Sequence, residues 1–183
     1  MKSRNLTFAM SLLISLAALA CPQTQAAVAG DMSTAATTKL SAADQQFFKK
    51  AAIGGMTEVY AGKLAAENGS TDSVKKFGQR MVDDHTKAGE QLKALAAQKS
   101  IELPSAPDDK HQAMLDKLKT MSGADFDKAF IADMKAGHAD AIATFKAGSH
   151  SKDADIAKFA TATLPTLHDH AEHIPALSAK TGM

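Results

Sequence analysis

The sequence has no tryptophan, one tyrosine and one cysteine among its 183 residues, and aromatic residues make up only 5% of it. So few flat rings exclude the stacking platforms that bind bases or sugars. Net charge is almost absent too. The formal value is +1, and loss of Lys2 and Arg4 with an N-terminal leader would leave 19 basic against 20 acidic residues. Such a domain has no electrostatic footprint for a polyanion, so nucleic acid is excluded as a partner. The only cysteine, Cys21, falls at the end of the leader, so the chain that follows has no disulfide, thiolate nucleophile or Cys-based metal site. No apolar run reaches the roughly 20 residues of a transmembrane helix. Also missing are an alternating β-rich stretch, a Gly-rich phosphate loop and an exact repeat. No Ser/His/Asp constellation has supporting context, and no nucleophile or acid/base pair is identifiable, which leans against an enzyme.

What is present begins with a basic N-terminus, an apolar run from Leu6 to Ala20 and a small-residue segment ending at Ala29. This is the pattern of a secretory signal peptide over residues 1–26, with cleavage after Ala26 or Ala29, and it implies a periplasmic protein. Ala18-Leu19-Ala20-Cys21 loosely resembles a lipobox, but Ala stands where Leu is usual. An outer-membrane lipoprotein through Cys21 is therefore the weaker reading. Residues 27–40, rich in Ala, Thr and Ser, read as a flexible linker.

The remaining residues, 41–177, are expected to form one helical domain. Ser41 with Asp44 marks the start of a helix that runs to about Glu67, where Asn68-Gly69-Ser70 breaks it. A second helix follows the Ser70-Thr71-Asp72 cap and runs to about Gln98, before the proline-containing segment 103–107. A short helix over 108–121 leads to two long ones, over 124–147 and 152–177. The fold class is all-α, a four-helix bundle with a short connecting helix.

Projecting each helix at about 100° per residue separates a wet face from a core face. Each core face carries one polar, titratable residue. Glu58 falls with Phe47, Ala51, Gly55, Gly62 and Ala65; His85 lies between Met81 and Leu92; His138 fills the gap between Met134 and Ala141; His170 interrupts Phe159, Leu167 and Ile174. A buried carboxylate costs several kcal/mol unless it is neutralised, hydrogen-bonded or bound to metal. One carboxylate and three imidazoles suit a transition metal such as Fe, Cu or Zn, with Asp84 placed to orient His85 from outside. The competing reading is a structural or protein-interaction module with no metal and no catalysis, whose buried polar groups only fix helix register. Such a module admits an envelope protein partner or a homo-oligomer.

Axial position limits the site. A hairpin turning at Gly69 sets Glu58 and His85 about 7 Å apart in height, within reach of two long side chains. A hairpin turning near Ser149 sets His138 and His170 about 15 Å apart, too far for one ion. The expected site is therefore Glu58, His85 and one further His. The dense His168, His170 and His173 segment, with Asp169 and Glu172, projects largely outward and reads as an exposed patch. Met81 and Met134 precede His85 and His138 by four residues and so share their faces, but methionine is an ordinary core filler.

The segments Met56-Thr57-Glu58-Val59-Tyr60-Ala61-Gly62 and Phe77-Gly78-Gln79-Arg80-Met81-Val82-Asp83-Asp84-His85, then Phe126-Asp127 with His138, then Leu164-Pro165-Thr166-Leu167 with His170, resemble the secreted bacterial domain of unknown function 4142 family, whose members are often labelled outer membrane proteins. The likeness spans about residues 44–176. It implies a ferritin-like bundle in the cell envelope whose motif positions include Glu58, His85, His138 and His170, and it implies no activity. Glu-x-x-His, which di-iron ferritin-like centres use on two helices, occurs nowhere in the sequence.

Overall fold

Side-chain caps start the first three helices. Ser41 Oγ accepts from the Asp44 amide at 3.1 Å, Thr71 Oγ1 from Val74 at 3.2 Å and Asp108 Oδ1 from His111 at 3.0 Å, each satisfying an amide that the first turn leaves free. The computed structural model describes residues 40–180. In it five helices follow one another: α1 (Ala42–Asn68), α2 (Asp72–Gln98), α3 (Asp109–Lys119), α4 (Gly123–Gly148) and α5 (Ala154–Lys180). No strand occurs among the described residues. The expected signal peptide and nearly all of the expected linker lie outside them. Gly123, at φ +61°, opens α4 in a conformation that a side chain would strain. Pro165 and Pro175 sit inside α5 and the helix continues through both. Pro165 leaves the carbonyl of Thr161 without its helical donor, and Thr161 is exposed, so water can serve it.

α1 pairs with α2 and α4 with α5 as hairpins, while α1 also packs on α4 and α2 on α5. Two apolar clusters fix the helix directions. One joins Ala61 and Ala65 of α1 to Phe77 of α2, Leu118 of α3, Phe130 of α4 and Ile174 of α5. The other joins Phe48, Leu95, Phe145 and Ile156 at the opposite ends of the four long helices. α1 and α5 therefore run one way and α2 and α4 the other. α2 ends at one end of the bundle and α4 begins at the other, so residues 99–122, with α3 among them, span its length as a crossover. Between the two clusters lies a polar middle.

Two buried aspartates tie turns to helices at the ends. Asp127, fully buried in α4, accepts from the Ser70 amide at 2.9 Å and the Ser70 hydroxyl at 2.6 Å, which holds the α1–α2 turn. Asp44 accepts from the hydroxyls of Ser41 and Ser151, both at 2.6 Å, and so joins the start of α1 to the α4–α5 loop. Near the α1–α2 turn, six residues from the end of α1 and from the start of α2, the two helices touch backbone to backbone. A Cβ on Gly62 would stand 2.6 Å from the Gly78 carbonyl, and one on Gly78 would stand 2.6 Å from that of Gly62.

Candidate metal centre

Each long helix brings one polar, titratable core residue to the middle of the bundle because the residues a turn away on the same stripe are buried: Met81 before His85, Met134 before His138, Ile174 after His170. Glu58, His85, His138 and His170 are 4%, 6%, 1% and 0% exposed. His138 and His170 approach to 3.2 Å, which overturns the expectation that the last hairpin holds them too far apart. The loop 149–153 moves the pivot of the hairpin, so that His138 lies ten residues before the end of α4 and His170 sixteen after the start of α5. The gap falls to six residues, about 9 Å at the helical rise. Helical side chains also lean toward their own N-terminus, and in this antiparallel pair the two imidazoles lean toward each other.

The outer hydrogen bonds decide what the inner nitrogens can do. Nδ1 of His138 is 2.9 Å from the Met134 carbonyl and 3.2 Å from Glu58 Oε1; a carbonyl only accepts, so Nδ1 carries the proton and Nε2 is left with a lone pair. Nε2 of His170 lies 2.8 Å from Asp84 Oδ2 and donates to that carboxylate, which leaves Nδ1 bare. Nδ1 of His85 lies 3.2 Å from Glu58 Oε2. A neutral His85 with its proton on Nδ1 makes Nε2 the third bare nitrogen, and Nε2 is buried without a hydrogen-bond partner. One ring nitrogen from each of the three histidines lies within 4.8 Å of the others. Among the described residues no other group of three His, Cys, Asp or Glu comes together in this way.

Electrostatics keeps the three rings neutral. Burial, reinforced by the neighbouring imidazoles His138 and His170, pushes His85 down to about 3. Burial also brings His138 to about 4, against the opposing pull of the Met134 carbonyl. His170 is lowered by burial despite Asp84. Glu58 is raised to about 8 by burial alone. Burial opposes ionisation of Asp84, yet its hydrogen bond from His170 and the nearby Arg80 bring it below the usual carboxylate value. Neutral His138 and His170, with their protons held on the outer nitrogens, present two lone pairs to each other at 3.2 Å. Such a contact is not a hydrogen bond.

Sequence reasoning placed Glu58 among the ligands, but its carboxylate stands on the outer, Nδ1 side of His85 and His138. Asp84 stands behind His170 instead of His85. Two residues that were not anticipated complete the outer layer: Arg80 lies 3.4 Å from Asp84 and pairs with Asp169, closing α2 onto α5 beside His170. Their one sequence signal is the spacing of four between Arg80 and Asp84. His173 turns its Nδ1 to the Asp169 carbonyl at 2.6 Å and is exposed, apart from the centre.

With this geometry in view, the likenesses to other proteins bear on the fold. The chain superposes on the crystal structure of a DUF305 fragment from Deinococcus radiodurans with a TM-score of 0.68 at 11% identity, covering 77% of this chain and 98% of the fragment. That similarity shows the fold, a ferritin-like helical bundle. No functionally curated protein matches the chain significantly. The sequence profile of DUF4142, a domain of unknown function, matches residues 29–177, and the chain belongs to that family.

Proposed function

We propose that this is a periplasmic metal-binding protein whose ion is held by His85, His138 and His170. The observation that carries the reading is the contact of His138 Nε2 with His170 Nδ1 at 3.2 Å, both protons being held elsewhere. Two opposed lone pairs in a dry interior repel, whereas a cation beside them turns repulsion into ligation. His85 Nε2, buried and unpartnered, supplies the third donor. Glu58, Asp84 and the Met134 carbonyl act from outside, fixing each tautomer and strengthening each imidazole as a donor.

Three imidazoles with no thiolate suit Zn²⁺, Cu or Fe. The carboxylate of Asp84 offsets part of a divalent charge without touching it, and Glu58, which holds a proton near neutral pH in the metal-free fold, can release that proton to offset the rest. Three protein donors leave a fourth position for water or another small donor, which separates an exchangeable or reactive centre from a closed structural one. Such an ion supplies Lewis-acid or redox chemistry; the chain itself supplies neutral donors, fixed tautomers and exclusion of water. The signal-peptide pattern of residues 1–26 supports the periplasmic setting.

Metal analysis of untagged protein from a periplasmic extract, followed by Zn²⁺ titration after chelation, tests the reading. One ion per chain is expected, with about 2.7 kcal/mol of added stability at a hundredfold excess over Kd. Alanine at His85, His138 or His170 should abolish both. Protein that binds no Fe, Cu or Zn and gains no thermal stability from any of them would leave a structural module.

A further inference from the structure

Six glycines lie in the interiors of the long helices and a seventh, Gly148, ends α4; they fall into two kinds. Gly62, Gly78 and Gly148 are packed so closely that a Cβ would collide, which explains them. Gly54, Gly55 and Gly89 have nothing within 4 Å of where a Cβ would stand, and at Gly137 that Cβ would meet a single atom, Glu58 Oε1, at 3.4 Å. A glycine inside a helix costs about 1 kcal/mol relative to alanine, so four that no packing requires call for another reason.

All four line one groove of about 1820 Å³, bounded by α1, the crossover and the C-terminal halves of α2 and α4. Glu58 and His85 form part of its wall. The glycines sit beside the residues of the centre: Gly54 and Gly55 one turn before Glu58, Gly89 one turn after His85, Gly137 next to His138. Glu58 Oε1, in a residue only 4% exposed, has no hydrogen-bond partner and faces the Gly137 surface of the groove. Asp133 and Asp140, four before and three after Gly137, share its helix face and also line the groove. On the other side of the centre, the Arg80 pairs with Asp84 and Asp169 close the surface over His170.

We infer that this glycine-lined groove is the route by which a divalent cation reaches the three histidines, with Glu58 as the last oxygen it passes. The inference rests on the reading of His85, His138 and His170 as a metal centre. Missing side chains keep the passage open, and Glu58, Asp133 and Asp140 offer oxygen donors beside the centre; six lysines line the same groove, so the oxygens and not the net charge are what a cation meets.

The test uses Co²⁺ alone, followed by its visible absorption, on the unmodified chain and on Gly55→Leu and Gly137→Leu. Gly55→Leu adds its side chain where a Cβ touches nothing, so the variant should fold at least as stably as the parent; thermal unfolding checks this. Uptake of Co²⁺, and its release to excess chelator, should both slow by about tenfold while Kd stays within about twofold, because a narrowed path changes both rates together. Unchanged uptake and release in both variants would overturn the route while leaving the metal centre standing. An unmodified chain that takes up no Co²⁺ would overturn the centre and the route together.

Discussion

Nε2 of His138 faces Nδ1 of His170 across 3.2 Å, and each ring spends its single proton on the far side, His138 on the Met134 carbonyl and His170 on Asp84. The buried aspartates of the same fold behave differently. Asp127 and Asp44 are each satisfied by hydroxyl or amide donors from a turn. Burial of polar groups here takes two forms, one complete in itself and one left open, which the proposed cation would complete.

Asp84 lies outside the ring of donors yet sets the tautomer of His170. Asp84→Ala should weaken Zn²⁺ binding by about 10- to 100-fold, the usual loss when an outer acceptor goes, while the number of ions per chain stays at one. Competitive titration with a chelating dye measures it.

The stability of the metal-free protein should depend on pH with opposite slopes on the two sides of neutrality. His85, His138 and His170 titrate below the unfolded value of 6.5, so as pH falls below that point the unfolded chain takes up protons the fold refuses. Stability then drops toward acid. Glu58 titrates at about 8 in the fold against 4.5 unfolded, so the fold holds a proton that the unfolded chain has lost, and this contribution fades as pH rises toward 8. Three groups outweigh one on the acid side, which sets the maximum at about pH 7. Thermal unfolding of chelated protein should show that maximum, and Glu58→Gln should remove the alkaline decline alone. Identical profiles for the two proteins would mean that Glu58 holds no such proton.

Gly62→Ala or Gly78→Ala drives a methyl group into a carbonyl 2.6 Å away on the facing helix. Each should destabilise the fold by about 1–3 kcal/mol, the usual cost of overpacking. Gly55→Ala, which meets nothing, should stabilise it by about 0.5–1 kcal/mol. Urea unfolding of the three variants should give opposite signs.

Asp127→Ala removes the acceptor of both Ser70 donors and leaves the α1–α2 turn unheld. A loss of about 1–3 kcal/mol is expected from the unsatisfied groups. Zn²⁺ stoichiometry should not change, because Asp127 belongs to the end of the bundle and not to its middle.

Much of this was legible in the sequence because helices advertise themselves locally. The caps at Ser41, Thr71 and Asp108 lie within three residues of the amides they satisfy, and the core stripes that expose Glu58, His85, His138 and His170 repeat every turn. Register between helices has no such local signature. The approach of His138 to His170 depends on the five-residue loop 149–153 and on the lean of both side chains, neither of which a height count includes. The ties of Asp44 to Ser151 and of Asp127 to Ser70 showed little sign in the sequence because these partners lie 107 and 57 residues away. The role of Glu58 followed the same pattern: its helix face was visible, but whether its oxygens meet the inner or the outer nitrogens is a matter of three dimensions.

Long-range ¹H–¹⁵N correlation spectra of the histidine rings, in chelated protein near pH 7 and after one equivalent of Zn²⁺, test the metal centre most directly. The expected spectra show neutral rings with the proton on Nδ1 of His85 and His138 and on Nε2 of His170, and only the three opposite nitrogens shift when Zn²⁺ is added. A proton on His138 Nε2 or His170 Nδ1, making an ordinary hydrogen bond between the two rings, together with no response to Zn²⁺, would contradict it.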